Sequence, residues 1–254
     1  MLTNAFKRLI SCLEIKFFEK GENMRVLKNP IIVALDGMTK EETIACMHEL
    51  GKSVWGYKLS GLIIKEGMNA IHEIKTNVGL VNLFIDLQLV GIPRFMREIT
   101  SMLSCPEVRF ISCNAASGPE GIRASVEKAY TSRVLVGSIL SSLGIADVKF
   151  IFDTPYREIK TYEFTRMAME CGAGGIYCSA EELQFLSHYP ETKKIEKIVV
   201  GIRPEWYPDL GDHKVVVTPK VAMGLGANFL VIGSPITKAQ NKKEAAEKIL
   251  SEIQ

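Results

Sequence analysis

Short runs of apolar, often β-branched residues recur along this chain and constrain its fold more than any other feature. Eight runs are present: Ile31–Leu35, Val54–Leu59, Leu83–Asp86, Val108–Cys113, Val134–Ile139, Gly175–Cys178, Lys197–Val200 and Phe229–Gly233. The runs are continuously apolar rather than alternating, a pattern typical of parallel strands that are buried on both faces. The sequence therefore predicts eight parallel strands.

The segments between these runs have the period of amphipathic helices. Most of them hold roughly 20–30 residues, enough for a helical crossover between parallel strands. Segment Glu41–Leu50, for example, places Ile44, Met47 and Leu50 on one side of a helix. Eight strand–helix repeats predict a single α/β domain, a (β/α)8 TIM barrel, over residues 30–254. The alternative is a doubly wound open sheet, which the lack of G-x-G-x-x-G after the first strand disfavours.

Residues 1–29 precede the repeats and form an extension. Five apolar residues in it are spaced to share one face of an amphipathic helix: Phe6, Leu9, Ile10, Leu13 and Phe17. We expect this N-terminal helix to cap the bottom of the barrel. The alternative is a targeting presequence, but Glu14 and Glu19 interrupt the acid-free composition that such a segment needs.

The charge of the chain is nearly balanced. Its 254 residues include 31 Lys and Arg against 29 Asp and Glu, a formal net charge of +2. Nucleic-acid binding needs basic side chains concentrated on one face, so this balance gives no case for it.

No apolar run approaches the roughly 20 residues of a membrane span, and Arg8 leaves no room for the apolar core of a signal peptide. We expect a cytoplasmic protein that binds a small molecule and no membrane.

The histidines and cysteines do not have the spacing of metal ligands. The four histidines are scattered without an H-E-x-x-H motif, and the six cysteines contain no C-x-x-C pair. A structural zinc site is therefore not expected. We predict neither a metal nor a cofactor.

Charged residues lie at the carboxyl ends of three predicted strands, where barrel enzymes place their catalytic side chains. Asp36 follows the first strand, Lys58 lies near the end of the second, and Asp86 ends the third. An unpaired buried carboxylate is costly, so Asp36 and Asp86 should face solvent, a ligand or Lys58. The structural alternative is an Asp86–Lys58 ion pair that only ties two strand ends together.

The last strands end where this fold usually binds phosphate. Gly233 and Ser234 end the eighth predicted strand and begin a short helix, whose free N–H groups suit an anion. Upstream, Thr218 and Pro219 are residue types that favour a helix N-cap and first helical position. We predict a phosphorylated ligand bound partly at Gly233 and Ser234.

Several motifs follow one another in a fixed order along residues 30–254: Ile31-Ile-Val-Ala-Leu-Asp36, Gly56-Tyr-Lys58-Leu-Ser-Gly61, Leu83-Phe-Ile-Asp86, Leu140-Ser-Ser-Leu143, Gly172-Ala-Gly-Gly-Ile-Tyr-Cys-Ser179, Gly201-Ile-Arg-Pro204, Thr218-Pro219 and Val231-Ile-Gly-Ser-Pro-Ile236. Together they resemble the orotidine 5′-phosphate decarboxylase family. The resemblance implies a carbon–carbon lyase of pyrimidine nucleotide (UMP) biosynthesis, a nucleotide-like phosphorylated substrate and a homodimer that forms at the barrel mouth. It also implies substrate contacts at Asp36, Ser141, Arg203, His213, Gly233 and Ser234.

The resemblance further implies an alternating Lys-Asp-Lys-Asp array, made by a lysine on strand two and D-x-K-x-x-D on strand three. In the implied mechanism the first aspartate crowds the substrate carboxylate, the second lysine protonates C6, and the second aspartate reaches the partner subunit's site. Lys58 and Asp86 match the first half, but Gln88 replaces the proton-donating lysine and Gly91 the second aspartate. Since a glutamine amide has neither positive charge nor an acidic proton, we predict lost or much reduced decarboxylation. The alternative is that Lys58 rotates into the donor role.

The implied phosphate site also departs from the family pattern. Gly233-Ser234-Pro235 stands where the family has Gly-Arg-Pro, and His213 replaces a glutamine of the phosphate loop. Loss of a guanidinium removes a bidentate, charge-assisted clamp. Lys214, Lys238 or the amides of Gly233 and Ser234 would then give a weaker hold.

Three functions remain open at this point. The first is a family member that has lost most of its decarboxylase activity and keeps a pocket for a phosphorylated ligand. The second is a diverged, metal-dependent sugar-phosphate lyase of the same superfamily, against which the same two substitutions count. The third is a non-catalytic partner that dimerises through the barrel mouth, with itself or with a catalytically complete homologue.

Overall fold

Eight parallel strands close into a barrel in the computed structural model of this chain, which describes residues 29–140, 142–209 and 216–253. Each strand pairs with the next, and β8 pairs with β1. The strands are β1 Ile31–Ala34, β2 Gly56–Leu59, β3 Asn82–Leu89, β4 Val108–Asn114, β5 Arg133–Gly137, β6 Gly175–Ser179, β7 Glu196–Val200 and β8 Phe229–Ile232. The predicted (β/α)8 TIM barrel is confirmed, and the open-sheet alternative is wrong.

Helices connect the strands on the outside of the barrel. They are α1 Lys40–Leu50, α2 Gly61–Glu66, α3 Asn69–Val78, α4 Pro93–Leu103, α5 Gly118–Lys128, α6 Ile145–Phe152, α7 Arg157–Glu170, α8 Ala180–Leu186, α9 Pro219–Gly224, α10 Ser234–Thr237 and α11 Lys242–Ile253, with short 3-10 turns at Ala115–Ser117 and Pro190–Lys194. The predicted start of α9 is confirmed, because the Thr218 side chain accepts a hydrogen bond from Val221 N and Pro219 is the first helical residue. No helix in these ranges is long and apolar enough to cross a lipid bilayer.

Some expectations fall on parts of the chain that the structure does not describe. The N-terminal amphipathic helix predicted in residues 1–29 lies outside the described residues, as do the implied substrate contacts Ser141 and His213. Lys214 also lies outside the described residues, whereas the other predicted site residues are described.

Aromatic rings fill the barrel interior from its lower end towards its mouth. Trp55, directly before β2, lies with its ring centroid 4.6 Å from that of Phe229 and 5.3 Å from that of Phe110. Phe84 meets Phe110 edge to face at 6.1 Å, and Tyr177 meets Phe84 at 5.3 Å. These side chains come from five parts of the chain, so the interior packs only when the barrel closes. The column ends at Tyr177, which therefore forms the floor of the mouth.

Replacement of Phe110 by alanine tests this interior packing. Phe110 is fully buried, so Phe110→Ala should lower the free energy of unfolding by about 3–5 kcal/mol, measured by urea denaturation. Phe150→Ala is the matched control, because Phe150 is 91% exposed and its loss should cost less than about 0.5 kcal/mol. Equal losses in the two variants would contradict the packing described for the interior.

Candidate active site

Lys58 lies between two carboxylates at the mouth of the barrel. Its Nζ is 2.6 Å from Oδ2 of Asp36 and 3.3 Å from Oδ2 of Asp86. The register explains the meeting, because β2 lies between β1 and β3 and Lys58 pairs with Ala34 on one side and Phe84 on the other. The Asp86–Lys58 pair considered from sequence is present, and Asp36 joins it. One ammonium group is thus shared by two carboxylates.

Asp86 is the more enclosed of the two carboxylates. Its side chain is 9% exposed, against 49% for Asp36. Oδ1 of Asp86 accepts hydrogen bonds from Ser112 Oγ at 2.7 Å and from Gln88 Nε2 at 3.0 Å, while Oδ2 faces Lys58. Sequence reasoning missed Ser112, although a lone hydroxyl within the apolar run of β4 was a signal available to it. Ser112, Gln88 and Lys58 therefore fix the position of the Asp86 carboxylate.

Gln88 has a left-handed backbone, which turns its side chain across the mouth. Its φ is +46°, and the β3–β4 register shifts between Ile85 and Leu89. The backbone N–H of Gln88 donates to Ser112 Oγ at 2.9 Å, and Oε1 accepts from Asn114 Nδ2 at 3.4 Å. Oε1 also lies against Gly137 of β5, where any Cβ would collide with it. The Gln88 side chain therefore extends from β3 across the mouth and contacts both β4 and β5.

Tyr177 contributes a neutral hydroxyl to the same cluster. Burial raises its pKa well above the ordinary value, and the nearby negative charges of Asp86 and Asp36 raise it further. Hydrogen bonding towards Asp86 raises that pKa as well. Tyr177 therefore stays protonated and acts as a donor. Within an apolar strand this tyrosine resembled a core residue, which is why the sequence alone did not single it out.

Two adjoining cavities open at the mouth and share Tyr177 and Val200 in their walls. The first, which we call the β8-side cavity, has a volume of about 380 Å³ and contains Asp36, Lys58, Arg203, Gly233, Ser234 and Lys238. The second, the β5-side cavity, has a volume of about 230 Å³ and contains Asp86, Gln88, Gly137, Ser138, Ile139 and Leu140. Together they form an elongated site with different chemistry at its two ends.

Among the described residues, two cations line the β8-side cavity in addition to Lys58. Arg203 is largely buried, and its guanidinium donates to the carbonyl oxygens of Asp209 at 2.9 Å and Ile202 at 3.0 Å. Burial lowers the pKa of Arg203, but an arginine stays charged at neutral pH. Lys238 is mostly exposed, and its Nζ lies 3.6 Å from Oδ2 of Asp209. Gly233 and Ser234 complete this end, where β8 leads into α10.

A buried carboxylate supports the wall of the β5-side cavity. Glu182 is fully buried and accepts hydrogen bonds from Ser138 Oγ and Thr161 Oγ1, each at 2.8 Å. Arg157, whose Nη1 is 3.8 Å from Glu182 Oε1, donates to the carbonyl oxygens of Leu140 and Leu143. Neither Glu182 nor Arg157 was predicted from sequence. Both fasten the segment that follows β5 to the barrel.

Gly91 is not part of either mouth cavity. It follows β3 and lines a separate surface cavity with Val90 and Ile92. A Cβ at Gly91 would collide with the ring of Phe95. Val90, Ile92 and Phe95 are themselves 54%, 70% and 43% exposed. Gly91 thus lines a different cavity from Lys58, Asp86 and Gln88, and exposed apolar side chains lie next to it.

Within the described ranges, no three His, Cys, Asp or Glu side chains are grouped closely enough to hold a metal ion. The carboxylates at the mouth instead contact Lys58.

Comparison with known proteins gives one consistent family. The family model described as "Orotidine 5'-phosphate decarboxylase / HUMPS family" matches residues 29–249. A protein of Nautilia profundicola with the name orotidine 5′-phosphate decarboxylase is 30% identical over 230 residues, covering 88% of this chain and 98% of its own. A protein of the same name from Campylobacter concisus is 29% identical over 229 residues, covering 88% of this chain and 99% of its own.

Solved structures agree with this family. Orotidine 5′-phosphate decarboxylase from Lactobacillus acidophilus superposes with a TM-score of 0.74 at 25% identity, covering 89% of this chain and 99% of its own. An uncharacterized conserved protein from Geobacillus kaustophilus has the same fold, with a TM-score of 0.73 at 21% identity, covering 89% of this chain and all of its own.

Replacement of Lys58 by methionine tests the shared ammonium group. Lys58→Met keeps the side-chain length but leaves two carboxylates without their cation, so the free energy of unfolding should fall by about 3 kcal/mol. Lys65→Met is the control, because Lys65 is 74% exposed beside Glu66 and should cost less than about 0.5 kcal/mol. Adding Asp86→Asn to Lys58→Met should recover part of the loss in urea denaturation. An undiminished stability of Lys58→Met would contradict the arrangement.

Proposed function

The chain belongs to the orotidine 5′-phosphate decarboxylase / HUMPS family, and we propose that it binds a phosphorylated nucleotide-like ligand with little or no decarboxylase activity. The proposal rests on one observation. The Gln88 amide lies 3.0 Å from Asp86 Oδ1, at the position where the family resemblance implies a lysine ammonium. The proposed setting is pyrimidine nucleotide metabolism in the cytoplasm.

The chemistry of decarboxylation supports this proposal. Loss of carbon dioxide leaves an electron pair on the ring carbon, which needs a nearby positive charge and then a proton. A glutamine amide donates hydrogen bonds, but it carries no charge and does not release a proton at neutral pH. General acid catalysis typically contributes about 10²–10⁴-fold to a rate, so its loss alone is large. Gln88 can therefore orient a ligand but cannot complete this reaction.

The position of Lys58 argues against its use as a substitute proton donor. Its Nζ is 2.6 Å from Asp36 and faces Oδ2 of Asp86, whereas Gln88 binds Oδ1 of the same carboxylate. Rotation of Lys58 towards Gln88 would break the shorter of its two ion pairs. Lys58 is better suited to hold the two carboxylates in place.

The rest of the mouth retains features of a ligand site. Arg203 and Lys238 line the β8-side cavity beside the neutral hydroxyl of Ser234, and charged donors such as these two bind phosphate oxygens strongly. The adjoining β5-side cavity has polar groups, among them Gln88 and Ser138, that suit the edge of a ring. A nucleotide would place its phosphate in the first cavity and its base in the second.

The apolar side chains around Gly91 support a second part of the proposal, which is a homodimer formed at the barrel mouth. Val90, Ile92 and Phe95 are exposed next to Gly91, and exposed apolar groups that cluster are typical of protein interfaces. A catalytically complete homologue could occupy the same surface in place of a second copy.

Incubation with orotidine 5′-phosphate tests the loss of activity. The protein should show no turnover above background when substrate absorbance is followed. A variant that combines Gln88→Lys, Gly91→Asp and Phe95→Ala should gain about 10²-fold or more over the parent, since the new lysine restores the charge and proton and the last change makes room for the aspartate.

The control for this experiment is the same triple variant with Lys58→Met added, which should return the rate to that of the parent. Turnover by the unmodified protein near ordinary enzyme rates, on the order of 10 s⁻¹, would refute the proposed loss of activity.

Analytical ultracentrifugation tests the proposed dimer. The unmodified protein should sediment as a dimer, and Ile92→Glu with Phe95→Glu should sediment as a monomer, because two buried carboxylates would oppose the interface. Leu80→Glu is the control, since Leu80 is 81% exposed at the opposite end of the barrel and should leave the dimer intact. A monomeric unmodified protein, alone and mixed with a complete homologue, would contradict the proposal.

A further inference from the structure

The ion cluster around Lys58 carries an excess of one negative charge. Asp36 and Asp86 share the single ammonium group of Lys58, at 2.6 Å and 3.3 Å. The Lys58 ammonium group also donates to Ser60 Oγ at 3.3 Å, so all three of its donors are directed at protein groups. Any ligand group that enters beside Asp86 experiences this excess of one negative charge.

The β5-side cavity adds no compensating cation. Among the described residues that line it, Asp86 is the one charged side chain, and the others are apolar or neutral polar. The neutral Gln88 amide lies nearest to Asp86, with Nε2 at 3.0 Å from Oδ1. Tyr177, shared by both cavities, is also neutral, since burial and the two carboxylates raise its pKa. The carboxylates thus already oppose a further negative charge at this end of the site.

The cations of the mouth lie at the other end. Among the described residues of the β8-side cavity, the cations Lys58, Arg203 and Lys238 outnumber the carboxylates Asp36 and Asp209 by one. A phosphate would therefore be attracted to that cavity and would direct the attached base towards Asp86 and Gln88. The base would then lie in the β5-side cavity, where Asp86 disfavours negative charge and the Gln88 amide can form hydrogen bonds.

The groups in the β5-side cavity match an uncharged ring. The Gln88 amide has both a donor and an acceptor, and an uncharged pyrimidine has N–H and C=O groups at its edge. A ring carboxylate would instead enter a partly enclosed space next to Asp86, where like charges repel more strongly than in water. The cavity therefore distinguishes ligands by charge.

From this arrangement we infer that the protein selects nucleoside monophosphates with an uncharged pyrimidine over those whose pyrimidine carries a carboxylate, such as orotidine 5′-phosphate. The inference rests on the proposed function, because it requires the mouth to bind a phosphorylated nucleotide. It goes further in naming the class of base. In this view the replacement of a lysine by Gln88 changes which ligand is held, in addition to removing a proton donor.

Isothermal titration calorimetry with three ligands tests the inference. They are uridine 5′-phosphate, orotidine 5′-phosphate and the 6-carboxamide of uridine 5′-phosphate, which has the shape of the carboxylate without its charge. Uridine 5′-phosphate should bind about tenfold or more tightly than orotidine 5′-phosphate. The carboxamide should bind within about threefold of uridine 5′-phosphate, because it is excluded neither by charge nor by size.

Two variants at one position provide the matched comparison. Gln88→Lys should shift the preference towards orotidine 5′-phosphate by about tenfold or more, because the new ammonium group compensates the added carboxylate. Gln88→Met has the same length without charge and should keep the preference for the uncharged base. Urea denaturation with the midpoint of the unmodified protein shows that both variants are folded.

The outcomes separate the inference from the proposed function. If orotidine 5′-phosphate binds the unmodified protein as tightly as uridine 5′-phosphate, the inference is wrong while the proposed ligand site stands. If the carboxamide is rejected as strongly as the carboxylate, size and not charge selects the ligand, and the inference is again wrong. If none of the three ligands binds, the proposed ligand site itself is wrong and the inference fails with it.

Discussion

Lys58 lies between carboxylates from two different strand ends, and the geometry of the barrel mouth depends on that position. Its ammonium group is shared by Asp36 and Asp86, so a change in the alignment of β1, β2 or β3 would leave a carboxylate without a cation. Ser112, Gln88 and Tyr177 are in turn arranged around Asp86. The ion cluster thus couples the barrel register to the shape of both mouth cavities.

Gln88 shows that a neutral amide can be hydrogen bonded at the mouth of this barrel. Its amide keeps the hydrogen bond to Asp86 that a lysine could also make, and it reaches the surface of Gly137 on a neighbouring strand. The backbone has the family's barrel fold, and Gln88 places no charge beside Asp86. Binding geometry and reactivity are separable here, because hydrogen bonding requires only a donor whereas proton transfer requires an acid.

Much of the fold could be predicted from the sequence, because continuous apolar runs and helical periods are local patterns. The eight strands and the capped start of α9 at Thr218 and Pro219 are examples. The meeting of Asp36, Lys58 and Asp86 could also be predicted, since the carboxyl ends of barrel strands form one mouth. The roles of Ser112, Tyr177 and Glu182 could not. The hydroxyl of Ser112 and the phenol of Tyr177 give no local sign of their partners, and the Ser138 and Thr161 partners of Glu182 lie tens of residues away from it.

The sequence by itself determined which chemical groups are available: a balanced charge, one lysine for two carboxylates at the strand ends, an amide at position 88 and no side chain at position 91. Tertiary structure decided how those groups are used. It set which oxygen of Asp86 each donor binds, turned Gln88 against Gly137, and put the ring of Phe95 over Gly91. The physical reason is that side-chain identity is encoded locally, whereas distances between strands are fixed only when the barrel closes around its aromatic interior.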